Sequence, residues 1–587
     1  MSDALFLFTI GPVKSLIEQS RKTRDLYAGS FLLSYLLSGA IEELDKQSED
    51  VDIIFPSRHK DTNIPNRLVA IVKGYGPEEQ KKLGRTLARY VQDRFMDICL
   101  GVFHRAGVTP NRWALEQLER FLEVYWVFEP LEQYESSYKQ LIQSMNNIKR
   151  LRVFTQSNEL YGRKCAIYPE YNAIFIKRTR EGKLPDFVVS DHAVDVSSVP
   201  VCMYALKPGE GLSAIAFVKR MLHLLTEPEA GDKTALSGYR LNISSVAYML
   251  LHSRLGSSYA DKLARLKDEA SEALFDLQNG QTLSTEEYSP DSIDIALKLY
   301  REIHNQYRIS PYYALVKFDG DGMGRLYQDY ADRAAHRQLS QDISHFASNV
   351  RAIIAEHRGI CIYAGGEDFL GFLPLDTLFS ALLKLREEFS LQVRAPLGHP
   401  KPLTFSAGIA IAHLMQPLQE VLARTGELES LAKGIDEDKD SCASSNDACT
   451  AAKNAFAIEL MKRSGENVTI KNKFGEKGEN LQVLQHALSA ITNKQDSKAF
   501  IHNLSRMLAR LQDKDEHPLD AVVRVLIRQA YQRANPGMGR DERDQHTERF
   551  YALYQVFGAN ISRFIPVLQM TAFLSREVDP CYMPSMR

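Results

Sequence analysis

The sequence predicts an α+β protein with two related sheet-and-helix domains, a helical region between them and a helical bundle at the C-terminal end. Three observations carry this prediction. An apolar strand, a helix and a strand hairpin follow one another within residues 311–408, and residues 4–99 repeat that order. From about residue 479 onward, apolar residues recur at helical spacing, most clearly in 501–511, 519–531 and 557–570.

A chain of 587 residues predicts about three to five domains of roughly 100–200 residues each. We expect residues 1–200 to form the first sheet domain with helical additions, and 306–475 to form the second. Residues 201–305 are expected to be a helical intermediate domain and linker, and 476–587 the C-terminal helical domain. The acidic, Ser-rich segment 434–450 predicts disorder, because it has few apolar residues to bury.

Within the first domain, residues 4–10 predict a buried strand, followed by a long helix from the Gly11-Pro12 turn to about Leu44. The remaining elements expected there are a hairpin (52–55 and 67–72), a helix (78–99) and an edge strand (122–128) within an otherwise helical stretch, 114–150. In the intermediate domain, 215–225 and 244–268 predict helices, whereas the polar stretch 269–294 predicts a loop or linker. The second domain predicts strands at 312–318, 360–363, 369–373 and 404–412, and helices at 340–356, 375–389 and 418–433.

Two acidic glycine turns mark the second domain. The segment Asp319-Gly320-Asp321-Gly322-Met323-Gly324 follows its first strand, and Gly365-Gly366-Glu367-Asp368 joins its next two strands. Carboxylates converging from both turns repel one another unless a divalent cation lies between them, and oxygen ligands of this kind suit Mg²⁺ or Mn²⁺. The expected metal ligands are Asp319, Asp321, Glu367 and Asp368.

The glycines of both turns let the backbone approach a ligand closely, and N–H groups at the following helix start can receive phosphate oxygens. We therefore expect a bound nucleotide to contact Gly320, Asp321, Gly322, Met323, Gly324, Gly365 and Gly366. Together the two turns predict metal-assisted phosphoryl or nucleotidyl transfer. Taken alone, Asp-Gly-Asp-Gly is more often a surface turn or a calcium loop, and Gly-Gly-Glu-Asp a plain hairpin, but their joint occurrence after apolar strands favours a catalytic site. The calcium loop also requires Glu at its twelfth position, which here is Tyr330.

The first domain reads as a degenerate copy of the second. When Phe8 is aligned with Phe318, Thr9 takes the position of Asp319, and the first hairpin contains no Gly-Gly-acid turn. We expect this copy to hold no metal but to supply half of a nucleotide site across the interface. The residues considered for that role are Arg21, Arg24, Asp25 and Ser30, for which solvated helix charges and a packing Ser are equally good interpretations.

The second domain resembles the palm domain of nucleotidyl cyclases and diguanylate cyclases. The chain is more similar still to the large polymerase-like subunit of type III-B (Cmr-type) CRISPR effector complexes. Blocks that carry this resemblance span about residues 5–465, and include 8–13, 21–30, 217–220, 312–324, 363–368, 403–408 and 452–458. The resemblance implies two ferredoxin-like palm domains, here called the first palm and the second palm.

The resemblance also implies a function. The family makes a cyclic oligoadenylate second messenger from ATP when its guide-RNA complex captures a target RNA, with Asp319, Glu367 and Asp368 as the catalytic residues. Some members instead join AMP to S-adenosylmethionine, and the sequence does not distinguish between these two products. Lys433 and Lys453 are candidates for holding the triphosphate, with Lys453 favoured because Asn454 and a strand follow it. Other subunits of the ribonucleoprotein are the expected partners, including backbone subunits and small helical subunits at the C-terminal end, with crRNA and target RNA contacted indirectly.

The sequence departs from the family pattern at three places. The hairpin reads Glu367-Asp368 where Asp-Asp is usual, which still provides two carboxylates. Many members begin with an HD phosphohydrolase domain, but this sequence contains no His-Asp dipeptide, so the associated DNA-cutting activity is expected to be absent. Where many members carry a Cys-x-x-Cys zinc pair, this chain has Cys165 and Tyr168, and one Cys cannot complete a four-ligand site, so we expect no zinc.

The composition argues against a free-standing nucleic-acid binder, a disulfide-rich protein and a membrane-spanning protein. The net charge is 72 minus 74, or −2, which is low for a free-standing nucleic-acid binder. Seven Cys without paired spacing predict a reducing, cytoplasmic location, and no apolar run approaches a membrane span. Two other functions stay open at this point. A template-directed polymerase lacks an evident basic, aromatic-lined channel, and a scaffold with an inactive palm is suggested only by Glu367.

Overall fold

The computed structural model describes residues 3–47, 51–57, 64–151, 159, 161–226, 236, 239, 241, 243–266, 268–399, 402–434, 453–492, 498–511, 520–537 and 539–578. It confirms the α+β architecture. The segment 434–450, for which disorder was predicted, lies outside these residues except for Gly434. Among the described helices, none combines the length and the apolar character needed to cross a membrane.

The first palm is an antiparallel sheet with helices on its faces. Its elements are β1 (Ala4–Gly11), α1 (Val13–Glu18), α2 (Thr23–Gln47), β2 (Val51–Phe55), β3 (Arg67–Val72), α3 (Pro77–Ala106), α4 (Arg112–Glu119), β4 (Glu123–Pro130) and α5 (Tyr134–Arg150). The strand order is β2-β3-β1-β4, so β4 is an edge strand as predicted. The prediction of one continuous helix after Pro12 is wrong. A new helix starts at Thr23, because the Asp25 carboxylate accepts the backbone N–H groups of Arg21 and Lys22.

The region between α5 and the second palm, here called the intermediate region, contains three short strands and five α-helices among the described residues. They are β5 (Phe175–Ile176), β6 (Val194–Asp195), β7 (Gly211–Leu212), α6 (Ala214–Met221), α7 (Val246–Leu255), α8 (Ala260–Arg265), α9 (Asp268–Gln278) and α10 (Pro290–Ile303). Two of the strands, β5 and β6, lie before the domain boundary predicted at residue 200. The loop predicted over 269–294 is wrong, because α9 and α10 cover most of it. In α9, Ala270, Ala273 and Leu274 are buried at helical spacing, and the Ser289 side chain caps the start of α10.

The second palm repeats the topology of the first. Its elements are β8 (Tyr312–Gly320), α11 (Met323–Asp329), α12 (Arg333–Glu356), β9 (Ile360–Gly365), β10 (Asp368–Pro374), α13 (Leu378–Gln392), β11 (Phe405–His413), α14 (Leu418–Lys433), β12 (Ala455–Leu460) and β13 (Val468–Lys473). The strand order is β13-β12-β11-β8-β10-β9. The segment β11-β8-β10-β9 has the same relative order as β4-β1-β3-β2, which is the ferredoxin-like order, so the predicted internal repeat is confirmed.

The C-terminal region is helical, as predicted. Its helices are α15 (Glu479–Thr492), α16 (Lys498–Ala509), α17 (Asp520–Ala534), α18 (Arg540–Val556) and α19 (Ile561–Glu577). The alternation of side chains along β8 sets the two faces of the second sheet. Val316 and Phe318 enter the hydrophobic core shared with the C-terminal helices. Leu315 enters the core shared with the first palm, and Lys317 and Asp319 follow it on that face.

Candidate functional site

A pair of carboxylates lies where β8 and β10 end side by side. Phe318 pairs in register with Phe369, and its ring stacks between those of Phe369 and Phe405, at centroid distances of 4.9 and 4.2 Å. One residue further, on the opposite face, the side chains of Asp319 and Asp368 are hydrogen-bonded to each other. The sequence-based expectation that segments some fifty residues apart meet at this point therefore agrees with the structure.

The two carboxyl groups of this pair have opposite pKa shifts. Asp368 is open to solvent at one edge, but the surrounding protein removes hydration and Asp319 shares its hydrogen bond, so its pKa lies well above the usual value. Burial alone would also raise the pKa of Asp319. The hydrogen bond from Asp368 and the ammonium of Lys433 outweigh this effect, so the pKa of Asp319 lies below its usual value. The site therefore opposes ionisation of Asp368 more strongly than that of Asp319.

Glu367 lies next to the pair at the tip of the hairpin. Burial raises its pKa, with the charge of Asp319 adding to the shift and that of Arg67 opposing it. A methyl group at Gly320 would lie 2.9 Å from the Glu367 Cβ and 2.7 Å from the Met323 Cγ. Only glycine at 320 therefore lets the hairpin tip close over the end of β8.

The carboxylate of Asp321 is fixed by three hydrogen bonds. Its carboxylate accepts hydrogen bonds from the Thr404 hydroxyl (2.8 Å), the Ser406 hydroxyl (2.7 Å) and the backbone N–H of Asn454 (2.9 Å). Burial raises the pKa of Asp321, and these three donors offset part of that effect. The structure therefore places this predicted metal ligand as a link between the end of β8 and strands β11 and β12.

The lysine that contacts the pair is Lys433, rather than the favoured Lys453. The Lys433 ammonium binds Asp319 and lies 2.5 Å from Glu429 Oε1. Burial alone would lower the pKa of Lys433, but these two carboxylates raise it. Lys453 acts on Asp321 instead, whose pKa its charge lowers.

The remaining turn residues are positioned in different ways. Gly322 and Gly366 both have a φ of +69°, a left-handed conformation that favours glycine. Met323 is buried below the turn. Gly324 has open space around it and lines a cavity, whereas Gly365 approaches the Ile64 carbonyl oxygen of the first palm.

A cavity of about 290 Å³ lies between the palms and opens beside the hairpin. The second palm contributes Gly324, Tyr327, His336, Tyr363, Gly365, Glu367 and Asp368, and the first palm contributes Ser30, Ser34, Asn66, Arg67 and Tyr138 together with apolar side chains. The buried hydroxyl of Tyr327 has no hydrogen-bond partner in the described part of the chain. A polar group of a ligand can satisfy it, since buried polar atoms in proteins are nearly always paired.

Of the residues considered in the first palm, only Ser30 lines this cavity. Asp25 instead makes a buried, bidentate ion pair with Arg220, at 2.6 and 2.8 Å. Arg21 and Arg24 face acidic residues of the intermediate region, Glu210 and Asp268, each at 3.8 Å.

Arg67 is the residue that sequence reasoning missed. In the first palm Phe8 pairs with Leu68 and Thr9 with Arg67, just as Phe318 pairs with Phe369 in the second. Arg67 therefore corresponds to Asp368, and Thr9 to Asp319. Extending the alignment of Phe8 with Phe318 from the first strand to the hairpin would have found it.

Cys165 and Tyr168, at the position where no zinc was expected, take part in a hydrogen-bond network. Cys165 Sγ accepts the backbone N–H groups of Ile167 and Tyr168, each at 3.4 Å. The Tyr168 hydroxyl donates to the Ser15 carbonyl oxygen (3.2 Å) and accepts from the Lys219 ammonium (3.2 Å).

The donor set at the carboxylate pair fits a divalent cation. Within the described residues, no three His, Cys, Asp or Glu side chains are already arranged as a metal site. However, the side chains of Asp319 and Asp368 meet, and Glu367 lies beside them. Burial raises the pKa of both Asp368 and Glu367, and a bound cation would oppose that shift by favouring the ionised carboxylates. Hard oxygen ligands of this kind are those that Mg²⁺ and Mn²⁺ prefer.

Comparisons with protein families agree with this architecture. Residues 312–443 match the family model for the second palm domain of Cas10/Cmr2. Residues 5–119 match the model for the N-terminal region of the CRISPR-associated protein Cmr2. The two matches fall on the second palm and the first palm respectively.

Individual relatives are distant in sequence. The chain is 22% identical over 588 residues to the CRISPR system Cmr subunit Cmr2 of Pyrococcus furiosus, covering 78% of this chain and 62% of that relative. It is 27% identical over 225 residues to the single-strand-specific deoxyribonuclease Cas10/Csm1 (subtype III-A) of Enterococcus italicus, covering 37% of this chain and 26% of that one. The chain thus spans less than two thirds of the length of either relative.

Solved structures share the fold. A chain of the type III-B Cmr-beta complex bound to cognate target RNA matches with a TM-score of 0.65 at 15% identity, covering 98% of this chain and 83% of that chain. A chain of the apo Cmr-beta complex matches with a TM-score of 0.62 at 15% identity, covering 95% and 82%.

Proposed function

This chain is a Cmr2-type protein, and from that premise we propose that it is the nucleotidyltransferase subunit of an RNA-guided type III CRISPR complex. We infer that it converts ATP into a cyclic oligoadenylate when the complex binds target RNA. One observation carries the proposal: the carboxyl groups of Asp319 and Asp368 meet beside Lys433, at the mouth of the cavity between the palms.

Each group around the cavity has a role in this proposal. Asp319 and Asp368, with Glu367 beside them, would hold Mg²⁺ or Mn²⁺, which neutralises phosphate charge and activates an attacking hydroxyl. Lys433 would transfer its contact from Asp319 to the triphosphate. The aromatic wall formed by Tyr138 and Tyr327 would enclose the base, which offers a partner to the unpaired Tyr327 hydroxyl.

The partners follow from the same premise. We propose that the chain assembles with backbone and small helical subunits and contacts crRNA and target RNA through them, since its net charge is only −2. We also propose a cytoplasmic location, because the seven cysteines lack paired spacing.

Incubation of the purified complex with ATP, Mg²⁺ and target RNA, followed by mass spectrometry of the products, tests the proposal. A cyclic oligoadenylate supports it. Adding S-adenosylmethionine distinguishes the alternative, because an AMP conjugate would then appear. If target RNA is bound and neither product forms, the chain is a scaffold subunit and the proposed activity is wrong.

A further inference from the structure

Four charged side chains form an alternating ladder between β8 and α14, next to the carboxylate pair. Lys317 and Asp319 lie on one face of β8, two residues apart, while Glu429 and Lys433 lie on one face of α14, four residues apart. Both pairs of residues are separated by about 6–7 Å along their element. Lys317 therefore lies opposite Glu429, and Asp319 lies opposite Lys433. Lys317 Nζ is 3.4 Å from Glu429 Oε2, and Lys433 contacts both Glu429 and Asp319.

Gly408 of β11 lets α14 come this close to the sheet. Gly408 is the register partner of Lys317. A methyl group at Gly408 would lie 2.3 Å from the backbone nitrogen of Glu429 and 2.4 Å from the Thr425 carbonyl oxygen. The backbone of α14 therefore rests directly on β11 at the level of the ladder, and Glu429 is held between two lysines with only 9% of its surface exposed.

The first palm closes the other end of the ladder. Lys317 Nζ lies 3.6 Å from Glu18 Oε1, at the end of α1. The next residue, Gln19, is fixed by a 2.7 Å hydrogen bond from the buried Lys219 ammonium to its carbonyl oxygen. The second cation near Glu18 is Lys14, at 3.7 Å, which is largely exposed. A chain of contacts thus runs from the first palm through Lys317, Glu429 and Lys433 to Asp319.

We propose that Glu429 is the positioning residue for Lys433, and that Glu18 of the first palm reinforces it through Lys317. The first palm, which has Thr9 and Arg67 in place of the carboxylate pair, then acts on the reaction centre through charge. When a triphosphate and its metal occupy Asp319, Glu429 keeps the Lys433 ammonium within reach of the phosphates. This inference rests on the nucleotidyl transfer proposed above.

Glu429→Gln tests the central step, with Glu427→Gln as the matched control. Glu427 is on the same helix, undergoes the same change of charge, and is 64% exposed with Arg424 as its partner. We expect Glu429→Gln to raise the KM for ATP about tenfold, as loss of a charged hydrogen bond does, while kcat changes much less. Glu427→Gln should match the wild type. Calorimetric binding of a non-hydrolysable ATP analogue gives a readout that needs no turnover, and its Kd should shift as the KM does.

Glu18→Gln tests the contribution of the first palm. Because Glu18 is partly exposed, with 22% of its side chain accessible, this change should leave the fold intact. We expect a rise in KM of about threefold, smaller than for Glu429→Gln because one lysine intervenes. Combining Glu18→Gln with Lys317→Met should cost no more than Lys317→Met alone, since residues in one network are not additive. Additive effects, or analogue binding by Glu429→Gln equal to that of Glu427→Gln, would overturn the inference. If the wild type makes no product, the proposed activity fails, and analogue binding still decides the inference.

Discussion

Arg67 of the first palm occupies the position in its sheet that Asp368 occupies in the second. The register pairs of β1 with β3 and of β8 with β10 establish this correspondence. Both residues line the cavity between the palms, where the Arg67 charge acts on Glu367. One palm thus presents a cation, and the other carboxylates, to the same cavity.

The first prediction concerns Arg67. Arg67→Ala should weaken binding of an ATP analogue about tenfold, because a charged contact to the phosphates is lost. Arg67→Lys keeps the charge and should retain most of the affinity. Calorimetric titration of both variants checks this. Equal affinity of Arg67→Ala and the wild type would place the nucleotide elsewhere than in this cavity.

Asp319→Ala should abolish product formation while leaving assembly intact. Loss of a metal-binding carboxylate is expected to cost about a hundredfold or more in rate, since groups that only support metal ligands already cost about 10–100-fold. Asp329→Ala, an exposed carboxylate in α11, is the control and should remain active. Product mass spectrometry and gel filtration of the complex give the two readouts. Loss of assembly in Asp319→Ala would count against a catalytic role.

Asp321→Ala should act on stability as well as on activity. Its carboxylate accepts three hydrogen bonds that join the end of β8 to β11 and β12. Leaving buried donors without partners costs about 1–3 kcal/mol, so thermal melting of Asp321→Ala should begin at a lower temperature than that of Asp319→Ala. If melting is unchanged while Mn²⁺ binding is lost, Asp321 is a metal ligand after all.

These contrasts show what the sequence could predict about the site. Strand–turn patterns were enough to bring residues 319 and 368 together, because an apolar strand and a Gly-Gly hairpin leave few ways to pair. The orientation of Asp321 was not accessible. Two residues apart on a strand, Asp319 and Asp321 would share a face, but β8 ends at Gly320 and the backbone N–H of Asp321 donates to the Thr404 carbonyl oxygen. That turn is a tertiary contact that local spacing does not encode.

Tertiary packing also explains why Lys453 was favoured over Lys433 and why residues 269–294 were predicted to be a loop. Choosing between Lys433 and Lys453 requires knowing how closely α14 packs on the sheet, which depends on Gly408. The helix α9 was missed because its polar residues suggested a loop. Five of its residues are buried, but three of these are Ala270, Ser271 and Ala273, which give a weak apolar signal.

Removing one partner of the buried pair Asp25–Arg220 should strongly destabilise the protein. Both side chains are 1% exposed, and Arg220 also donates to the Ala205 carbonyl oxygen at 2.7 Å. Arg220→Met leaves the Asp25 charge buried without its partner, and we expect a loss of about 3–5 kcal/mol of unfolding free energy. Arg21→Met, which removes a half-exposed arginine near Glu210, is the control and should cost less than about 1 kcal/mol. Urea unfolding followed by tryptophan fluorescence compares the two.

Lys219 should make the stability of the protein depend on pH. Burial lowers its pKa to about 7, and the charge of Asp25 opposes this only in part. An unfolded chain has an ordinary Lys pKa of about 10.4. Between these two values the unfolded state binds a proton that the folded state has released, so the free energy of unfolding rises with pH across this window. Below about pH 7 both states are protonated, and Lys219 adds no slope.

Lys219→Met removes this dependence and serves as the comparison. From pH 7 to pH 9 the wild type should gain about 1–3 kcal/mol of unfolding free energy relative to Lys219→Met, at up to about 1.4 kcal/mol per pH unit. The variant also loses hydrogen bonds to Gln19, Ser20 and Tyr168, which lowers its stability. The test compares the change in unfolding free energy between pH 7 and pH 9. The lost hydrogen bonds lower the free energy of unfolding of Lys219→Met at every pH, so they do not alter this comparison. Parallel pH profiles of the two proteins would mean that Lys219 stays charged in the fold, held so by its three oxygen acceptors.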